Sequence, residues 1–259
     1  MKTKSLTDLQ VKIFADGADK ATILEYARRP YIKGFTTNPT LMRKAGVKDY
    51  EAFALDVLQH IPDRPISFEV LADDEVEMER QAWQIAGWAE NVYVKIPVTN
   101  TRGEPMYDLI HRLSADGARL NVTAVLALDH VGRVCQALRG GAPSYLSIFA
   151  GRIADTGRDP IPVMRTALEM IGDAGDTELM WASPRELLNI FQAEELGCHV
   201  ITATRDILDK LPLIGKDLHE FSLETVLMFY NDAVKSGYSL QPAAEAVPVG
   251  ARYAGRSRR

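Results

Sequence analysis

The chain has few of the features that mark secreted, disulfide-linked or membrane proteins. Its 259 residues include only two cysteines, Cys135 and Cys198. Two cysteines are too few for a disulfide framework, and we expect both to be reduced thiols. The first residues are not followed by an apolar run, so we expect no signal peptide. No stretch approaches the roughly 18 continuous apolar residues of a membrane span, so no contact with a membrane is expected. These absences favour a cytoplasmic protein.

Charge and motif content exclude further classes. The formal net charge is -5, and the basic cluster Arg256–Arg259 lies at the very end of the chain, so we predict no nucleic-acid partner. The chain has neither a P-loop nor a glycine-rich dinucleotide fingerprint. Its histidines show no pair at metal-ligand spacing, so no metal is assigned. They are His60, His111, His130, His199 and His219.

Short apolar runs, rich in β-branched and aromatic residues, alternate with longer segments of helical periodicity. The runs are predicted strands: Val11–Asp16, Ile32–Thr37, Ile66–Leu71, Val92–Val98, Leu120–Val125, Tyr145–Gly151, Glu178–Ser183 and His199–Thr204. Predicted helices between them include Asp74–Glu90, Ala127–Arg139, Pro160–Ile171 and Pro184–Leu196. Strict alternation predicts parallel strands that are joined by right-handed crossovers.

Eight such units in about 200 residues fit a closed α/β barrel, the (β/α)8 TIM barrel, better than an open sheet. The open sheet stays an alternative, because alternation alone does not show closure. A further helix is predicted over Asp217–Ser236. We therefore predict one domain over residues 1–238, a barrel with an additional C-terminal helix. Residues 239–259, rich in Ala, Pro, Gly and Arg, are predicted to form a flexible tail.

Successive side chains of a strand point to opposite faces, which predicts the residues inside the barrel. In the fourth run, Val94 and Ile96 share the face that packs on the helices, so Lys95 points inward. The same reasoning places polar side chains of other runs inside. They are Ser67 and Glu69 in the third run, Asn121 and Thr123 in the fifth, and Ser147, beside Tyr145 and Phe149, in the sixth.

More polar residues fall at the carboxyl ends of the predicted strands, where barrel enzymes build their active sites. They are Asp16, Thr36, Asn38, Arg152, Ser183 and Arg185. A single polar residue in a strand is most often an edge or solvent feature. Seven strands with the same arrangement predict a site, because each buried polar group costs a few kcal/mol unless it is satisfied.

The predicted site is suited to amine chemistry. Desolvation disfavours an ammonium ion, and a neutral amine attacks a carbonyl to form an iminium that assists cleavage of an adjacent C–C bond. Asp16 and Glu69 are suited to the proton transfers, and Thr123 to orienting a water molecule. The alternative is structural: Lys95 would form a buried ion pair with Glu69 or Asp16.

Arg152 and Arg185 are suited to binding a phosphate group at the mouth of the barrel. Solvated surface arginines are the alternative, and spacing alone does not decide between the two.

Several segments, in order and at matching spacing, resemble the transaldolase family, which includes the short fructose-6-phosphate aldolases. The resemblance covers about residues 10 to 238. The segments are Gly34-Phe35-Thr36-Thr37-Asn38-Pro39-Thr40, Val94-Lys95-Ile96-Pro97, Asn121-Val122-Thr123, Ser147-Ile148-Phe149-Ala150-Gly151-Arg152-Ile153, Ala182-Ser183-Pro184-Arg185 and Gly197-Cys198-His199-Val200-Ile201-Thr202.

The resemblance implies a transferase that moves a dihydroxyacetone unit from a ketose phosphate to an aldose acceptor, with no cofactor and no metal. It implies that Lys95 forms the Schiff base and that Asp16 transfers protons. Glu69 and Thr123 would hold the catalytic water, and Arg152 and Arg185 the phosphate. Residues that would contact the substrate or the carbinolamine are Thr36, Asn38, Asn121, Ser147, Phe149 and Ser183.

Glu69 bears on the branch of the family. Glutamine is expected there in the short aldolases, so glutamate favours a transaldolase over an aldolase that releases free dihydroxyacetone. A non-catalytic barrel that binds sugar phosphates is the third hypothesis. The loop Thr99–Glu104 and Pro184 depart from the family pattern, which leaves the donor and acceptor sugars open. A homo-oligomer is possible, with Asp217–Ser236 packing on a neighbouring copy or on its own barrel.

Overall fold

The computed structural model describes residues 6–172 and 175–240. Its centre is a closed barrel of eight parallel strands in the order of the sequence, in which the first strand also pairs with the last. The barrel confirms the predicted (β/α)8 fold. The strands are β1 (Lys12–Asp16), β2 (Ile32–Thr36), β3 (Ile66–Glu69), β4 (Val92–Pro97), β5 (Leu120–Val125), β6 (Ser144–Ile148), β7 (Thr177–Trp181) and β8 (Val200–Thr204).

Helices alternate with these strands along the chain, as the periodicity predicts. They are α1 (Lys20–Ala27), α2 (Pro39–Lys44), α3 (Tyr50–His60), α4 (Glu75–Ala86), α5 (Tyr107–Ala115), α6 (Leu128–Leu138), α7 (Ala150–Asp155), α8 (Ile161–Ile171), α9 (Leu188–Leu196), α10 (Arg205–Leu208) and α11 (Leu218–Ser236). Short 3-10 helices cover Leu6–Asp8 and Leu211–Leu213.

The main core lies between the outer face of the barrel and its helices. Val94 and Ile96, on the outward face of β4, are fully buried in it, as the alternation predicts. A second, smaller cluster fills the barrel interior around Phe14, Tyr145 and Met180. The Tyr145 ring meets the Phe14 ring edge to face, with the centroids 5.6 Å apart. Aromatic and apolar packing thus fills part of the interior, and the polar inward residues lie nearer the carboxyl ends.

The structure corrects several predicted boundaries at the mouth of the barrel. The third and seventh strands end at Glu69 and Trp181, each two residues earlier than predicted. The sixth strand ends at Ile148 rather than at Gly151, because the chain leaves the extended conformation at Phe149 and enters α7. Arg152 therefore lies in the first turn of a helix. The helix predicted from Pro184 begins only at Leu188, so Arg185 lies in the loop between β7 and α9. Proline lacks an N–H donor, and the backbone N–H of Arg185 donates instead to Asn189 Oδ1 at 2.8 Å.

The chain divides into two compact units, one ending at Ile214 and the other beginning at Gly215. The second contains α11, which begins after its N-cap Asp217 and ends at Ser236, followed by the C-cap Gly237, a left-handed residue with φ of 67°. This helix matches the predicted C-terminal helix. The domain boundary at residue 238 stays a prediction, and the predicted tail lies outside the described residues beyond residue 240. No helix in the described part of the chain is long and apolar enough to cross a membrane.

Candidate active site

A cavity of about 530 Å³ opens at the carboxyl ends of the strands. Every residue predicted for the site lines it. Some are inward residues of neighbouring parallel strands, which meet around one axis, and the others lie on the segments that follow the carboxyl ends of the strands. The lining residues predicted from sequence are Asp16, Thr36, Asn38, Glu69, Lys95, Asn121, Thr123, Ser147, Phe149, Arg152, Ser183 and Arg185.

Lys95 lies at the base of this cavity and is 7% exposed. Its Nζ is 3.1 Å from Glu69 Oε2 and donates a hydrogen bond to the carbonyl oxygen of Thr37 at 2.9 Å. The strand register brings the pair together, since Glu69 of β3 is the direct neighbour of Lys95 on β4. Of the two ion pairs that the sequence left open, the structure shows the one with Glu69. The pair faces a cavity rather than a closed core, so a substrate carbonyl has a route to the amine.

Asp16 ends β1 and faces the same cavity. Its Oδ1 accepts a hydrogen bond from Thr36 Oγ1 at 2.8 Å, and Thr36 Oγ1 is 2.5 Å from Thr202 Oγ1. Burial raises the pKa of the Asp16 carboxyl above its ordinary value; the positive charge of Lys95 and the Thr36 hydrogen bond oppose that rise, while the charge of Glu69 adds to it. A carboxyl group with a raised pKa both takes and gives protons more readily near neutral pH.

Thr123 is buried on β5, and its Oγ1 has no hydrogen-bond partner within the described part of the chain. The next residue, Ala124, has φ of 61°, a left-handed conformation that is strained for a residue with a Cβ. The pairing of β5 with β6 shifts register between Val122 and Val125. This bulge brings both Thr123 and Ala124 to the cavity wall, where a strictly alternating strand would present only one of them.

A chain of hydrogen bonds crosses the cavity floor from β3 to β7. Asn121 Nδ2 donates to Ser67 Oγ at 2.9 Å, and Ser147 Oγ donates to Asn121 Oδ1 at 2.7 Å. Ser147 Oγ also lies 3.2 Å from Met180 Sδ. All of these residues are buried, so the bonds hold Asn121 and Ser147 in fixed orientations beside Lys95.

Asn38 combines a local role with its place in the cavity wall. It is the N-cap of α2, and its Oδ1 accepts a hydrogen bond from the backbone N–H of Leu41 at 2.9 Å. Pro39 follows at the first helical position, where its missing N–H costs nothing. The cap uses the amide oxygen, which leaves the NH2 group as a donor for a bound ligand.

The two arginines at the mouth differ in their surroundings. Arg185 is ion-paired with Asp155 of α7: its Nε donates to Oδ1 at 2.9 Å and its Nη2 donates to Oδ2. These bonds hold the pKa of Asp155 below its ordinary value. Arg152 lies 5.7 Å from the centroid of the Phe149 ring, and no carboxylate of the described residues lies within 4 Å of it.

The cavity also contains residues that the sequence argument missed. Thr202 of β8 shares the inward face with Val200, so the alternation that found the others could have found it. Met180 of β7 is likewise an inward residue. Lys44, at the end of α2, gives no such signal, because strand alternation says nothing about side chains of the following helix. The remaining lining residues are Pro39, Thr40, Leu41, Ala124 and Ala182.

The loop Thr99–Glu104, which departs from the family pattern, is built as a small hairpin that closes with a bridge between Thr99 and Pro105. Asn100 Oδ1 accepts from the backbone N–H groups of Arg102 and Glu104, and the Thr101 hydroxyl donates to Asp73 at 2.6 Å. The loop does not line the cavity.

Histidine, cysteine, aspartate and glutamate side chains do not form a cluster of three or more suited to a metal ion anywhere in residues 6–172 and 175–240. The cavity itself offers the amines of two lysines, two carboxylates, side-chain amides, hydroxyl groups and two guanidinium groups.

The closed barrel, with a cavity around Lys95 at the carboxyl ends of its strands, has the features of a (β/α)8-barrel enzyme. Comparison with known proteins identifies the family. The transaldolase/fructose-6-phosphate aldolase family model matches residues 13–246, so the chain belongs to this family, as the sequence motifs predict.

Curated relatives agree over most of their lengths. A probable transaldolase of Dehalococcoides mccartyi is 33% identical over 215 residues, which cover 82% of this chain and 96% of the relative. A probable transaldolase of Methanococcus maripaludis is 34% identical, with 82% and 95% covered. A protein of Listeria monocytogenes named probable transaldolase 2 is 32% identical, with 82% and 94% covered.

Solved structures show the same fold at low identity. The 3-hexulose-6-phosphate synthase of Salmonella typhimurium is 14% identical with a TM-score of 0.52, and the alignment covers 75% of this chain and 89% of that one. KGPDC of Streptococcus mutans is 10% identical with a TM-score of 0.53, covering 80% and 99%. At these identities the likeness concerns the barrel alone.

Proposed function

We propose that this protein is a transaldolase that cleaves a ketose phosphate, keeps the dihydroxyacetone unit as a Schiff base on Lys95, and passes it to an aldehyde acceptor. The observation that carries the proposal is the position of Lys95 Nζ, 3.1 Å from Glu69 Oε2 at the base of a cavity of about 530 Å³. Membership of the family and the names of the relatives support the same reaction.

The first step forms the covalent intermediate. The neutral amine of Lys95 attacks the ketose carbonyl, giving a carbinolamine that loses water to become an iminium. The amine must first give up a proton, and Glu69 Oε2 is the acceptor within reach. Asn121 and Ser147, fixed beside Lys95 by their mutual hydrogen bond of 2.7 Å, are placed to hold the substrate hydroxyl groups.

Asp16 is the proposed acid–base group of the cleavage step. It removes the proton of the hydroxyl group on the carbon beyond the bond that breaks, and the electron pair of that bond flows into the iminium to give an enamine. The aldehyde product leaves, an acceptor aldehyde enters, and the enamine carbon attacks it. Asp16 then returns its proton to the new alkoxide. The raised pKa of Asp16, due first to burial, suits this two-way transfer.

The last step needs a water molecule to hydrolyse the iminium. Thr123 presents a buried hydroxyl with no hydrogen-bond partner among the described residues, and Glu69 lines the same cavity. A buried hydroxyl is seldom left unsatisfied, so a water between Thr123 and Glu69 is the partner we propose. Glutamate activates that water as a base, which an amide at the same position cannot do.

Arg152 and Arg185 are the proposed phosphate site for sugar-phosphate substrates. Both line the cavity at its mouth, on the chain segments that follow β6 and β7. Guanidinium groups bind phosphate through charge and paired hydrogen bonds, and the cavity is large enough for an open-chain sugar. The carboxylates of Asp16 and Glu69, the last residues of β1 and β3, line the same cavity.

Borohydride trapping tests the Schiff base. Incubation with a ketose phosphate and borohydride should leave a three-carbon adduct on Lys95, identified by peptide mass spectrometry, and Lys95→Ala should abolish it. Lys44 also lines the cavity, so Lys44→Ala is the matched control and should keep the adduct. An adduct on another lysine, or none with any ketose, would overturn the mechanism.

The competing function in this family is an aldolase that releases free dihydroxyacetone. Product analysis with and without an aldehyde acceptor separates the two. Turnover that requires the acceptor and yields a new ketose phosphate supports the transaldolase; release of dihydroxyacetone at the same rate without acceptor contradicts it. Binding of sugar phosphates without turnover of any donor and acceptor would identify the non-catalytic barrel.

We also propose that the protein forms homo-oligomers and acts in the cytoplasm. Helix α11 has no buried residue, and it exposes large apolar side chains that in soluble proteins usually meet another protein. Both cysteines are free and buried, which fits a reducing compartment. Light scattering of the full chain tests the first point, since a monomer at micromolar concentration would contradict it.

A further inference from the structure

The pairing of Arg185 with Asp155 leaves a particular edge of the guanidinium group free. Asp155 occupies the side of the group formed by Nε and Nη2. An arginine has a second edge, formed by Nη1 and Nη2, which can bind an anion at the same time. Asp155 does not line the cavity, whereas Arg185 does. The carboxylate therefore holds the group from outside the cavity.

The backbone around Asp155 and Arg185 fixes their separation. A Cβ on Gly151 would lie 1.6 Å from the carbonyl oxygen of Ser183, so the segments after β6 and β7 approach as closely as only glycine permits. Ser183 itself has φ of 56°, in the left-handed region. The backbone N–H of Ala182 donates to the carbonyl oxygen of Ile148 at 2.8 Å, next to this contact. The close contact places α7, and with it Asp155, beside Arg185.

Asp155 is also close in sequence to the other arginine. Arg152 precedes it by one turn of α7, and like-facing residues at this spacing often pair. Instead the carboxylate binds Arg185, and Arg152 has no carboxylate of the described residues within 4 Å. Asp155 therefore offsets much of the charge of Arg185 and holds it in one orientation, whereas Arg152, whose charge also lowers the pKa of Asp155, forms no ion pair with it.

We infer that Asp155 is a positioning residue for substrate phosphate, which holds Arg185 so that its Nη1–Nη2 edge faces the cavity while Arg152 supplies the net positive charge. The inference rests on the proposed role of the two arginines in binding phosphate. A long, half-exposed arginine without a partner samples many rotamers, and fixing it beforehand reduces what is lost when the ligand binds. The alternative to positioning is competition, in which the Asp155 carboxylate and the phosphate group of the substrate compete for Arg185.

Binding of sn-glycerol 3-phosphate tests the inference, because this phosphate has no carbonyl and cannot form a Schiff base. Isothermal titration of the full chain should show about tenfold weaker binding for Asp155→Ala. Asp155→Asn keeps an oxygen that can accept from Arg185, so it should lose clearly less, about threefold. Glu186→Gln is the matched control: it removes a neighbouring exposed carboxylate that has no ion pair within 4 Å among the described residues, and it should leave binding unchanged.

Steady-state kinetics with a phosphorylated acceptor and its unphosphorylated counterpart should show the same dependence on Asp155. Asp155→Ala should raise KM for glyceraldehyde 3-phosphate about tenfold, with kcat and the turnover of unphosphorylated glyceraldehyde within twofold of the wild type. Tighter phosphate binding in either Asp155 variant would show competition and overturn the inference. Unchanged binding, or an equal loss with both acceptors, would overturn it too.

Arg185→Ala separates this inference from the proposed function. If that variant binds sn-glycerol 3-phosphate as the wild type does, Arg185 is not part of the phosphate site, and both its proposed role and the positioning role of Asp155 fail. If Arg185→Ala weakens binding and Asp155→Ala does not, only the positioning role fails. Trapping on Lys95 proceeds in either case, so the Schiff base is judged independently.

Discussion

Glu69 Oε2 lies 3.1 Å from Lys95 Nζ, and the two residues are direct neighbours in the register of β3 and β4. An ion pair in the interior is weak evidence for stability, since desolvation of two charges offsets most of their attraction. Here Glu69 and Lys95 line the cavity together with Thr123 and Asp16, so we expect the pair to serve the reaction rather than stability. Glu69 is close enough to exchange a proton with the amine, and it lines the same cavity as Thr123.

Replacing Glu69 by glutamine should slow capture of the donor and shift the products toward free dihydroxyacetone. The amide keeps the shape but cannot take the proton of Lys95, so the Lys95 adduct should form more slowly. Because glutamine is the residue expected in the short aldolases, the ratio of transferred product to free dihydroxyacetone should also fall, by about tenfold, or ~1.4 kcal/mol. Chromatography of the sugar products with and without acceptor measures that ratio.

Glu178→Gln is the control for the loss of a barrel ion pair. Glu178 pairs with Lys12 at 2.6 Å near the amino ends of their strands, and neither residue lines the cavity. This variant should keep the wild-type product ratio. An unchanged ratio in Glu69→Gln would contradict the role given to Glu69.

Thr123→Val should disable hydrolysis and leave the fold intact. Valine has the shape of threonine without the hydroxyl, and the partner proposed for that hydroxyl is a water molecule that can leave with it, so we expect little change in stability. Loss of an oriented water should lower turnover by about 10²-fold and let the trapped intermediate accumulate. Mass spectrometry of the quenched enzyme measures that intermediate.

Ser114→Ala is the matched control for Thr123→Val. Ser114 Oγ on α5 is also buried with no hydrogen-bond partner in the described part of the chain, but it does not line the cavity. Its removal should change stability by no more than about 1 kcal/mol and leave turnover unaffected. Equal turnover in Thr123→Val and the wild type would refute the proposed water site.

The composition of the cavity wall was predictable from the sequence because a strand has a period of two. Val94 and Ile96 point outward and pack against the helices, so Lys95 between them must point into the barrel. The same alternation places Glu69 and Asn121 inside. Closure into a barrel then brings all inward faces to one axis. The period of two does not decide which carboxylate meets Lys95, because that depends on the register between β3 and β4.

Other parts of the site follow from backbone geometry that leaves no periodic signal. Ala124 and Ser183 adopt left-handed conformations at the cavity wall, and neither is a glycine. Just after β6 ends, Gly151 closely approaches Ser183, a residue distant in sequence. Lys44 reaches the cavity from a helix, where strand alternation does not apply. Such features arise from tertiary contacts, which a periodic pattern in the sequence does not reveal.

Asp16→Asn should abolish activity and stabilise the protein at neutral pH. Burial raises the pKa of Asp16 above its ordinary 3.8, so the native state binds the proton more tightly than the unfolded state. The wild type therefore loses stability as pH rises from about 3.8 through the native pKa, whereas asparagine does not titrate. A Tm about 2 to 4 °C higher for the variant at pH 7 would correspond to ~1 kcal/mol.

Thermal unfolding of both proteins between about pH 4.5 and pH 7.5 checks the sign. The Tm difference in favour of Asp16→Asn should widen as pH rises and then level off. A constant difference, or one that narrows with rising pH, would contradict a raised pKa. Thr36→Val, which removes one donor to the Asp16 carboxylate, should raise that pKa further and shift the acidic limb of the activity profile upward.

Gly151→Ala should damage the phosphate site selectively. A methyl group there meets the carbonyl oxygen of Ser183 at 1.6 Å and the Arg185 side chain at 3.3 Å, so the segments after β6 and β7 must separate. We expect KM for phosphorylated acceptors to rise by at least about tenfold, with a loss of roughly 1–3 kcal/mol in stability from overpacking.

Gly132→Ala is the control: this α6 residue has open space at its Cβ position, and alanine there should stabilise the helix by about 0.5–1 kcal/mol. If Gly151→Ala left phosphate selectivity at the level of Gly132→Ala, the close contact would have no part in placing Arg185.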